Sequence, residues 1–196
     1  MIIKASLKLA ILGVFTLSLV SCTTLGFGSR TVDIHGMIYD FSNRPIPHYE
    51  ISLGRQHRTT TDINGRFTLP RVPIGIHTLT GQKRGFESYS GELIISGRGQ
   101  IVYLRIPSQN QLLTLVDEAL TVNDLMLANE MVERAFQIDR NNIEMLFYYA
   151  TVKFRQRNYT NAIYFLESAI NLGSRDLYVE RFLFILKESQ NAAQTN

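Results

Sequence analysis

LMLANEMVERAFQI at residues 125–138 and YTNAIYFLESAINL at residues 159–172 carry one pattern of small and apolar residues, 34 positions apart. In each segment a small residue is followed at fixed spacing by a large apolar residue and then by a second small one. The corresponding positions are Ala128, Val132, Ala135 and Ile138 in the first segment and Ala162, Leu166, Ala169 and Leu172 in the second. A fixed period of this length indicates helix-turn-helix units that bury their apolar faces by stacking. The small residues allow two helices to approach each other closely.

A second pattern, in the segment before each of these two stretches, also recurs after 34 residues. Its corresponding positions are Leu112, Leu115 and Val116 in the first unit and Leu146, Tyr149 and Ala150 in the second. Together the units resemble tetratricopeptide (TPR) repeats, with Leu112 and Leu146 at the position where that family usually has Trp. Arg140 and Ser174 stand where the turn Pro is usual. The resemblance implies two TPR repeats plus a capping helix over residues 109–188, and protein binding rather than catalysis.

The repeat register predicts the bounds of about five helices. We expect helices over about 110–122, 124–138, 143–157, 158–172 and 177–188, with Gly173 ending the fourth and Ser174 or Asp176 capping the fifth. Residues 189–196 are polar and are expected to form a frayed tail.

The TPR resemblance also implies a concave surface lined by the first helix of each unit. Carried over by register, its positions are Asn110, Leu113, Asp117, Thr121, Phe147, Thr151, Arg155, Tyr178 and Arg181. This mixture of apolar and charged groups is suited to an extended peptide or a helix. The alternative is that the surface is filled by the rest of the chain or by a second copy, because two repeats are fewer than the three usually needed for stability.

Before the repeats, residues 31–106 have the alternating pattern of β-strands. Val32, Ile34, Gly36 and Ile38 alternate with more polar residues, and six or seven such short strands predict a β-sandwich. Residues 59–69 are expected to form a hairpin, because Asn64-Gly65 favours a tight turn.

Specific residues of this region carry a second resemblance. Val32-x3-Gly36, Thr61-Asp62-x2-Gly65-x-Phe67-x-Leu69, Pro73-x-Gly75 and Gly85-Phe86 resemble the carboxypeptidase regulatory-like domain. The resemblance implies an antiparallel, prealbumin-like (transthyretin-like) β-sandwich in which these residues form the fold rather than a catalytic set. The expected fold class is therefore α+β with two domains, a β-sandwich at 31–106 followed by the helices.

The amino-terminal segment has the pattern of a secretory signal. Lys4 and Lys8 precede an apolar run at 9–20 that is too short to span a membrane. Leu19-Val20-Ser21-Cys22 resembles a bacterial lipobox, which implies a signal peptide at 1–21, cleavage between Ser21 and Cys22, and acylation of Cys22 with chains such as palmitate. The alternative is a plain secretory signal with an incidental cysteine.

After such cleavage the chain would continue with a lipidated Cys22 and a short tether over 22–30. The lipid anchor implies a position at the cell membrane, and Thr23 after the lipidated position implies sorting to the outer membrane if the host has two membranes. The mature chain would have 18 basic and 17 acidic residues, so no nucleic-acid role is expected, because such a role needs a basic footprint.

The sequence offers no set of residues for catalysis, and we expect no enzyme, no cofactor and no metal. His35, His48, His57 and His77 have no zinc-ligand spacing and are expected to be surface residues. No nucleophile elbow and no phosphate-binding loop occurs.

Charge differs between the two halves, with a net of +4 over residues 30–105 and −3 over residues 107–196. Three interpretations stay open: two ordinary solvated surfaces, docking of one half on the other, or an arginine patch that faces an anionic envelope component. The patch would comprise Arg55, Arg58, Arg66 and Arg71. The predicted function is a membrane-anchored scaffold of the cell envelope that binds another protein through the TPR groove; the alternative is a cell-wall or surface-glycan binding module.

Overall fold

The computed structural model describes residues 30–194, with side chains to Gln190, and consists there of seven strands followed by five helices. The strands are β1 (Thr31–Tyr39), β2 (Glu50–Leu53), β3 (His57–Thr60), β4 (Arg66–Pro73), β5 (Gly75–Gln82), β6 (Tyr89–Ile95) and β7 (Ile101–Arg105). The helices are α1 (Gln109–Thr121), α2 (Leu125–Ile138), α3 (Ile143–Arg155), α4 (Tyr159–Asn171) and α5 (Leu177–Gln194). The expected α+β layout is confirmed. The predicted signal segment and Cys22 lie outside the described residues.

Two sheets form the amino-terminal half, because alternate side chains along each strand are apolar. One sheet has the order β4-β1-β7 and the other β3-β2-β5-β6. Ile34 and Ile38 of β1 are fully buried and meet Ile51, Leu53 and other residues of the facing sheet in one core. The predicted alternation of β1 is confirmed, and the sandwich has its own core, separate from that of the helices.

Two features of the sandwich differ from the prediction. The strands β1 and β7 pair in parallel, from His35 beside Ile101 to Tyr39 beside Arg105, whereas an antiparallel sandwich was expected. Parallel pairing needs a long connection, and here the rest of the domain supplies it. The 59–69 segment is also not a hairpin within one sheet, because β3 pairs with β2 and β4 pairs with β1. The turn at 62–65 instead carries the chain from one sheet to the other.

The residues of this turn explain the motif found in the sequence. The Thr61 hydroxyl is buried, accepts a hydrogen bond from the Tyr49 N–H at 2.8 Å and donates one to the Ile46 carbonyl at 2.6 Å. One carboxylate oxygen of Asp62 accepts from the N–H groups of Asn64 and Arg66, both at 2.8 Å. These bonds satisfy backbone groups that the change of sheet would otherwise leave without partners.

Glycine is required at two neighbouring places. Gly65 has φ +73°, and a Cβ there would collide with the Ile38 carbonyl oxygen. A Cβ at Gly36 would collide with the ring of Phe67, which lies directly over it. The Val-x3-Gly and Thr-Asp-x2-Gly-x-Phe patterns therefore form one packing unit.

The helices repeat in space at the interval seen in the sequence. α1 begins at Gln109 and α3 at Ile143, while α2 begins at Leu125 and α4 at Tyr159, which is 34 positions in both cases. Asp124, Asn142 and Asn158 cap α2, α3 and α4 through their side-chain oxygens. Neighbouring helices pack against each other in chain order.

The end of the last helix differs from the prediction. α5 continues to Gln194, whereas a frayed tail was expected from residue 189. Asp176 starts the helix by accepting the Tyr178 N–H, and the added residues include the good helix formers Gln and Ala. Gln190 also donates to the Thr160 hydroxyl of α4 at 3.4 Å, which ties the extension to the helical half.

Candidate partner-binding surfaces

An ion pair joins the sandwich to the helices. Glu87, which follows the turn after β5, accepts two hydrogen bonds from the Arg134 guanidinium of α2, each at 2.8 Å. Their side chains are 29% and 32% exposed, so the pair is partly shielded from water. Hydrogen bonding to Glu87 raises the pKa of Arg134 above its usual value, which outweighs the opposing effect of burial. The two halves are therefore held in a defined orientation.

Hydrogen bonds around the start of α1 strengthen this junction. The Gln109 N–H donates to the Gly85 carbonyl at 3.0 Å, and the Glu87 N–H donates to the Pro107 carbonyl at 3.0 Å. Ser108 and Gln111 form a reciprocal capping box. The same Gln111 amide donates to the Ser42 hydroxyl of the sandwich at 3.0 Å. The cap of α1 thus also serves as a contact between domains.

The predicted groove positions lie on α1, α3 and α5 as the register implied, and most of them are open to solvent. Asn110, Asp117, Thr121, Arg155, Tyr178 and Arg181 are exposed, while Phe147 and Thr151 are half-buried. Leu113 is 3% exposed and belongs to the helical core. The accessible part of this surface is therefore formed by the other eight positions.

The chemistry of this surface is mixed. Tyr148 of α3 lies near Asp117 of α1 and Glu144 of its own helix, and burial together with these two negative charges raises the pKa of its hydroxyl. Arg155 donates to the Leu120 carbonyl at 3.1 Å, at the carboxyl end of α1. Acidic, basic and aromatic groups therefore occur along the same succession of helices.

Aromatic side chains support the floor of this surface. Phe147 and Phe154 of α3 each meet Phe182 of α5 edge to face, with ring centroids 6.2 and 5.3 Å apart. This contact packs α3 against α5, the helix that carries Tyr178 and Arg181.

The four arginines of the predicted patch are exposed but belong to different parts of the sandwich. Arg58 is on β3, and Arg55 is in the turn between β2 and β3. Arg66 and Arg71 are on β4, which belongs to the other sheet. Arg71 has φ +52° and its N–H donates to the Asp33 carboxylate. Only Arg55 and Arg58 share one hairpin.

The outer face of the four-stranded sheet has a shallow depression of about 710 Å³. Cross-strand rows of polar residues line it: Ser52 lies between Arg58 and Thr80, and Glu50 lies between Thr60 and Gln82. The Gln82 amide donates to the Glu50 carboxylate at 3.0 Å. Hydroxyl, amide, carboxylate and guanidinium groups are thus available together on one face.

The histidines differ in one respect from the prediction. His35 faces outward and bonds with the Thr68 hydroxyl at 3.0 Å. His77 was expected to face outward, but it shares the inward phase of Leu79 on β5 and is half-buried, with Nε2 2.8 Å from the Pro73 carbonyl oxygen. Within residues 30–194, no group of three or more His, Cys, Asp or Glu side chains is placed to hold a metal ion.

Membrane-spanning character was tested over the same part of the chain. None of the five described helices combines the length and the apolar composition that a bilayer crossing requires.

Comparison with known proteins identifies the amino-terminal domain. Residues 33–106 match the family model of the carboxypeptidase regulatory-like domain, so the chain contains this domain, and the resemblance seen in the sequence is confirmed. No curated protein matches the sequence.

Several solved structures are similar to part of the chain. A chain of a type II cohesin–X-dockerin complex from Acetivibrio cellulolyticus has 16% identity and a TM-score of 0.31, covering 39% of this chain and 58% of that one. Catechol 1,2-dioxygenase from Acinetobacter sp. ADP1 has 12% identity and a TM-score of 0.34, covering 43% and 55%. The Caf1A usher C-terminal domain has 12% identity and a TM-score of 0.26, covering 39% and 94%. The chain spans less than two thirds of the length of the first two.

Sequence reasoning kept docking of the two halves open but did not identify the residues of the junction. Glu87 and Arg134 are 47 positions apart, and no periodic pattern connects them. The one available signal was Gly85-Phe86, a turn that precedes an acidic residue between β5 and β6. This signal locates the turn but does not identify the partner of Glu87.

Proposed function

We propose that this protein, with its carboxypeptidase regulatory-like domain at residues 33–106, is a non-enzymatic lipoprotein of the cell envelope that binds a partner protein on its helical half. The observation that carries the proposal is the regular placement of α1, α3 and α5 at intervals of 34 residues, with exposed side chains at equivalent positions. Stacked helical units of this kind provide extended surfaces for binding.

The packing of the helices supports a TPR assignment. Ala128 and Ala135 of α2, and Ala162 and Ala169 of α4, are all fully buried. Small residues at these places permit the close approach that the repeated small-x3-large-x2-small pattern predicts. We therefore treat the helical half as two TPR repeats followed by α5.

The composition of the surface limits the type of partner. Asp117 offers a negative charge, Arg155 and Arg181 offer positive ones, and Phe147 and Tyr178 offer aromatic area. An amphipathic helix or an extended peptide with both apolar and charged residues can use all three kinds of group. We propose such a segment of another envelope protein as the partner.

The proposed membrane attachment rests on the lipobox pattern that ends at Cys22. Metabolic labelling with a clickable palmitate analogue tests it: the wild-type chain should carry the label, and Cys22→Ser should not. Thr23→Ala should retain the label, because it leaves the acylated residue intact. Equal labelling of wild type and Cys22→Ser would contradict the proposal.

Site-specific photocrosslinking in the native envelope tests partner binding. A photoreactive residue at Asp117 or Thr151 should give a discrete adduct with one other protein, whereas the same residue at Tyr164, exposed on α4, should not. Adducts of equal intensity from Tyr164 would refute a specific role for the α1–α3–α5 surface. Adducts formed only with this chain would make the surface structural.

A glycan-binding role for the sandwich is the second candidate. It is favoured by the depression on the four-stranded sheet, because clustered hydroxyl, amide and guanidinium groups can hydrogen-bond to sugar hydroxyls. Arg55→Ala with Arg58→Ala should then abolish co-sedimentation with insoluble cell wall, and Arg66→Ala on the other sheet should leave it intact. Co-sedimentation that is unchanged in the double variant would exclude this face as the site.

A further inference from the structure

The outer face of α5 carries four large apolar side chains that are open to solvent. Leu177, Tyr178, Phe184 and Ile185 are 76%, 78%, 65% and 50% exposed, while Val179 and Leu186 are buried on the opposite side. Among the described residues α5 is the last helix of the array, and a helix in such a place usually has a polar outer face that keeps the array soluble. Several large apolar side chains exposed on one face are typical of a surface that binds a partner.

The repeat register shows how the same face is covered in the other first helices. Phe184 corresponds to Ala150 in α3 and to Val116 in α1, and both of these residues are fully buried. α1 packs on α2 and α3 packs on α4, whereas the inner side of α5 packs on α4. Within residues 30–194, the position that a following helix covers in α1 and α3 is therefore open in α5.

The order of charges on this face identifies the occupant. At 100° per residue, Arg181, Phe184, Ile185 and Glu188 fall within one sector of the helix, with the two charged residues one turn before and one turn after the apolar pair. A two-fold axis that passes between residues 184 and 185 reverses this order. Arg181 of each copy then lies opposite Glu188 of the other copy, which gives two such pairs.

We propose that a second copy of this chain covers the face, with the two α5 helices antiparallel. Phe184 and Ile185 of both copies form the centre of the contact, and two Arg181–Glu188 ion pairs flank it. A parallel arrangement would instead place each charge against its own kind, which is unfavourable. Exposed ion pairs contribute little affinity, so they select the orientation while the apolar centre drives association.

The contact is small, because each copy contributes one face of a single helix. It falls below the size of a standard stable interface, so the dimer depends on protein concentration. Asp117 and Thr151, on α1 and α3, are not part of this contact, whereas Tyr178 and Arg181 border both surfaces. A result that refutes the dimer therefore does not refute partner binding at Asp117 and Thr151. A result that refutes partner binding at these two residues likewise does not refute the dimer.

Disulfide trapping tests the antiparallel geometry. Full-length protein carrying Cys22→Ser has no native thiol, so Arg181→Cys and Glu188→Cys can be introduced separately. A mixture of the two variants should form the mixed disulfide several-fold faster than either variant links to itself. A mixture of Glu180→Cys with Glu188→Cys is the matched control, because Glu180 lies about a quarter turn from the centre of the face. Equal linking in the control mixture would overturn the geometry.

Charge reversal tests the same pairs without a covalent bond. Arg181→Glu alone and Glu188→Arg alone should each weaken dimerisation about tenfold, because two attractions become two repulsions. The double variant Arg181→Glu/Glu188→Arg should restore the wild-type dimerisation constant in sedimentation equilibrium. The proposal would be refuted if the wild-type protein were monomeric at every concentration. It would also be refuted if the double variant dimerised no more tightly than the single variants.

Discussion

Removing the Glu87–Arg134 pair should loosen the helices from the sandwich, and a double-mutant cycle measures by how much. The two carboxylate oxygens each accept from the guanidinium at 2.8 Å. Unit charges about 4 Å apart attract by about 4 kcal/mol at the effective dielectric constant near a protein surface. The side chains are about a third exposed, so desolvation and water screening offset part of this. We expect a net coupling of about 1–2 kcal/mol.

The cycle uses Glu87→Gln, Arg134→Met and the double variant, which keep the side-chain volumes close to those of the wild type. Urea unfolding followed by far-UV circular dichroism gives the free energy of unfolding of each, since the chain has no Trp to report by fluorescence. The control is the Glu167–Lys187 pair, at 2.7 Å but nearly half exposed, for which we expect below about 0.5 kcal/mol. A coupling at the junction no larger than that of the control would refute the reasoning.

Three further predictions concern the sandwich. Thr61→Val keeps the shape but leaves two buried backbone groups without partners, so urea unfolding should show a loss of about 2–4 kcal/mol, and Thr61→Ser should recover most of it. Burial opposes ionisation of Asp40, but hydrogen bonds from Arg44 and Ser42 outweigh it and hold the pKa below the ordinary 3.8. The stability that Asp40 adds is therefore present above that value and lost as pH falls further, so Asp40→Asn should be destabilising near pH 7 and indistinguishable from wild type in strong acid. Gly65→Ala should lower the midpoint of thermal unfolding far more than Gly54→Ala, because both have positive φ but only Gly65 lies against the Ile38 carbonyl; equal effects would contradict this.

Local patterns predicted the elements well. The alternation along β1 and the 34-residue interval of the alanines both indicate which side of an element faces the core. That side is determined by residues close together in the sequence, so it can be predicted from a local pattern. Capping residues such as Asn158 act within one turn, so the starts of the helices could be predicted from sequence.

Relations between distant elements were not predictable in the same way. The assignment of β3 and β4 to different sheets depends on the buried bonds of Thr61 with Tyr49 and Ile46, which a tight-turn motif does not reveal. The parallel partner of β1 is β7, at the far end of the domain. Such pairings depend on the whole packing arrangement rather than on the adjoining residues.

Net charge was a poor guide to the junction. The sandwich half is positive and the helical half negative, yet the pair that joins them has its acid, Glu87, on the sandwich and its base, Arg134, on the helices. A short-range bidentate contact depends on two side chains meeting in one place. The sum of charges over each half describes only the field at a distance.

Because β1 and β7 pair in parallel, the chain enters and leaves the sandwich at opposite ends. Both strands run the same way, so the chain enters beside Thr31 at one end and leaves after Arg105 beside the far end of β1. The nine residues of β1 extend over about 30 Å at about 3.3 Å per residue. An attachment at the amino-terminal end would therefore keep the first helix about one strand length from the point of attachment. A rigid sheet therefore sets the distance between the point where the chain enters the sandwich and the start of the first helix.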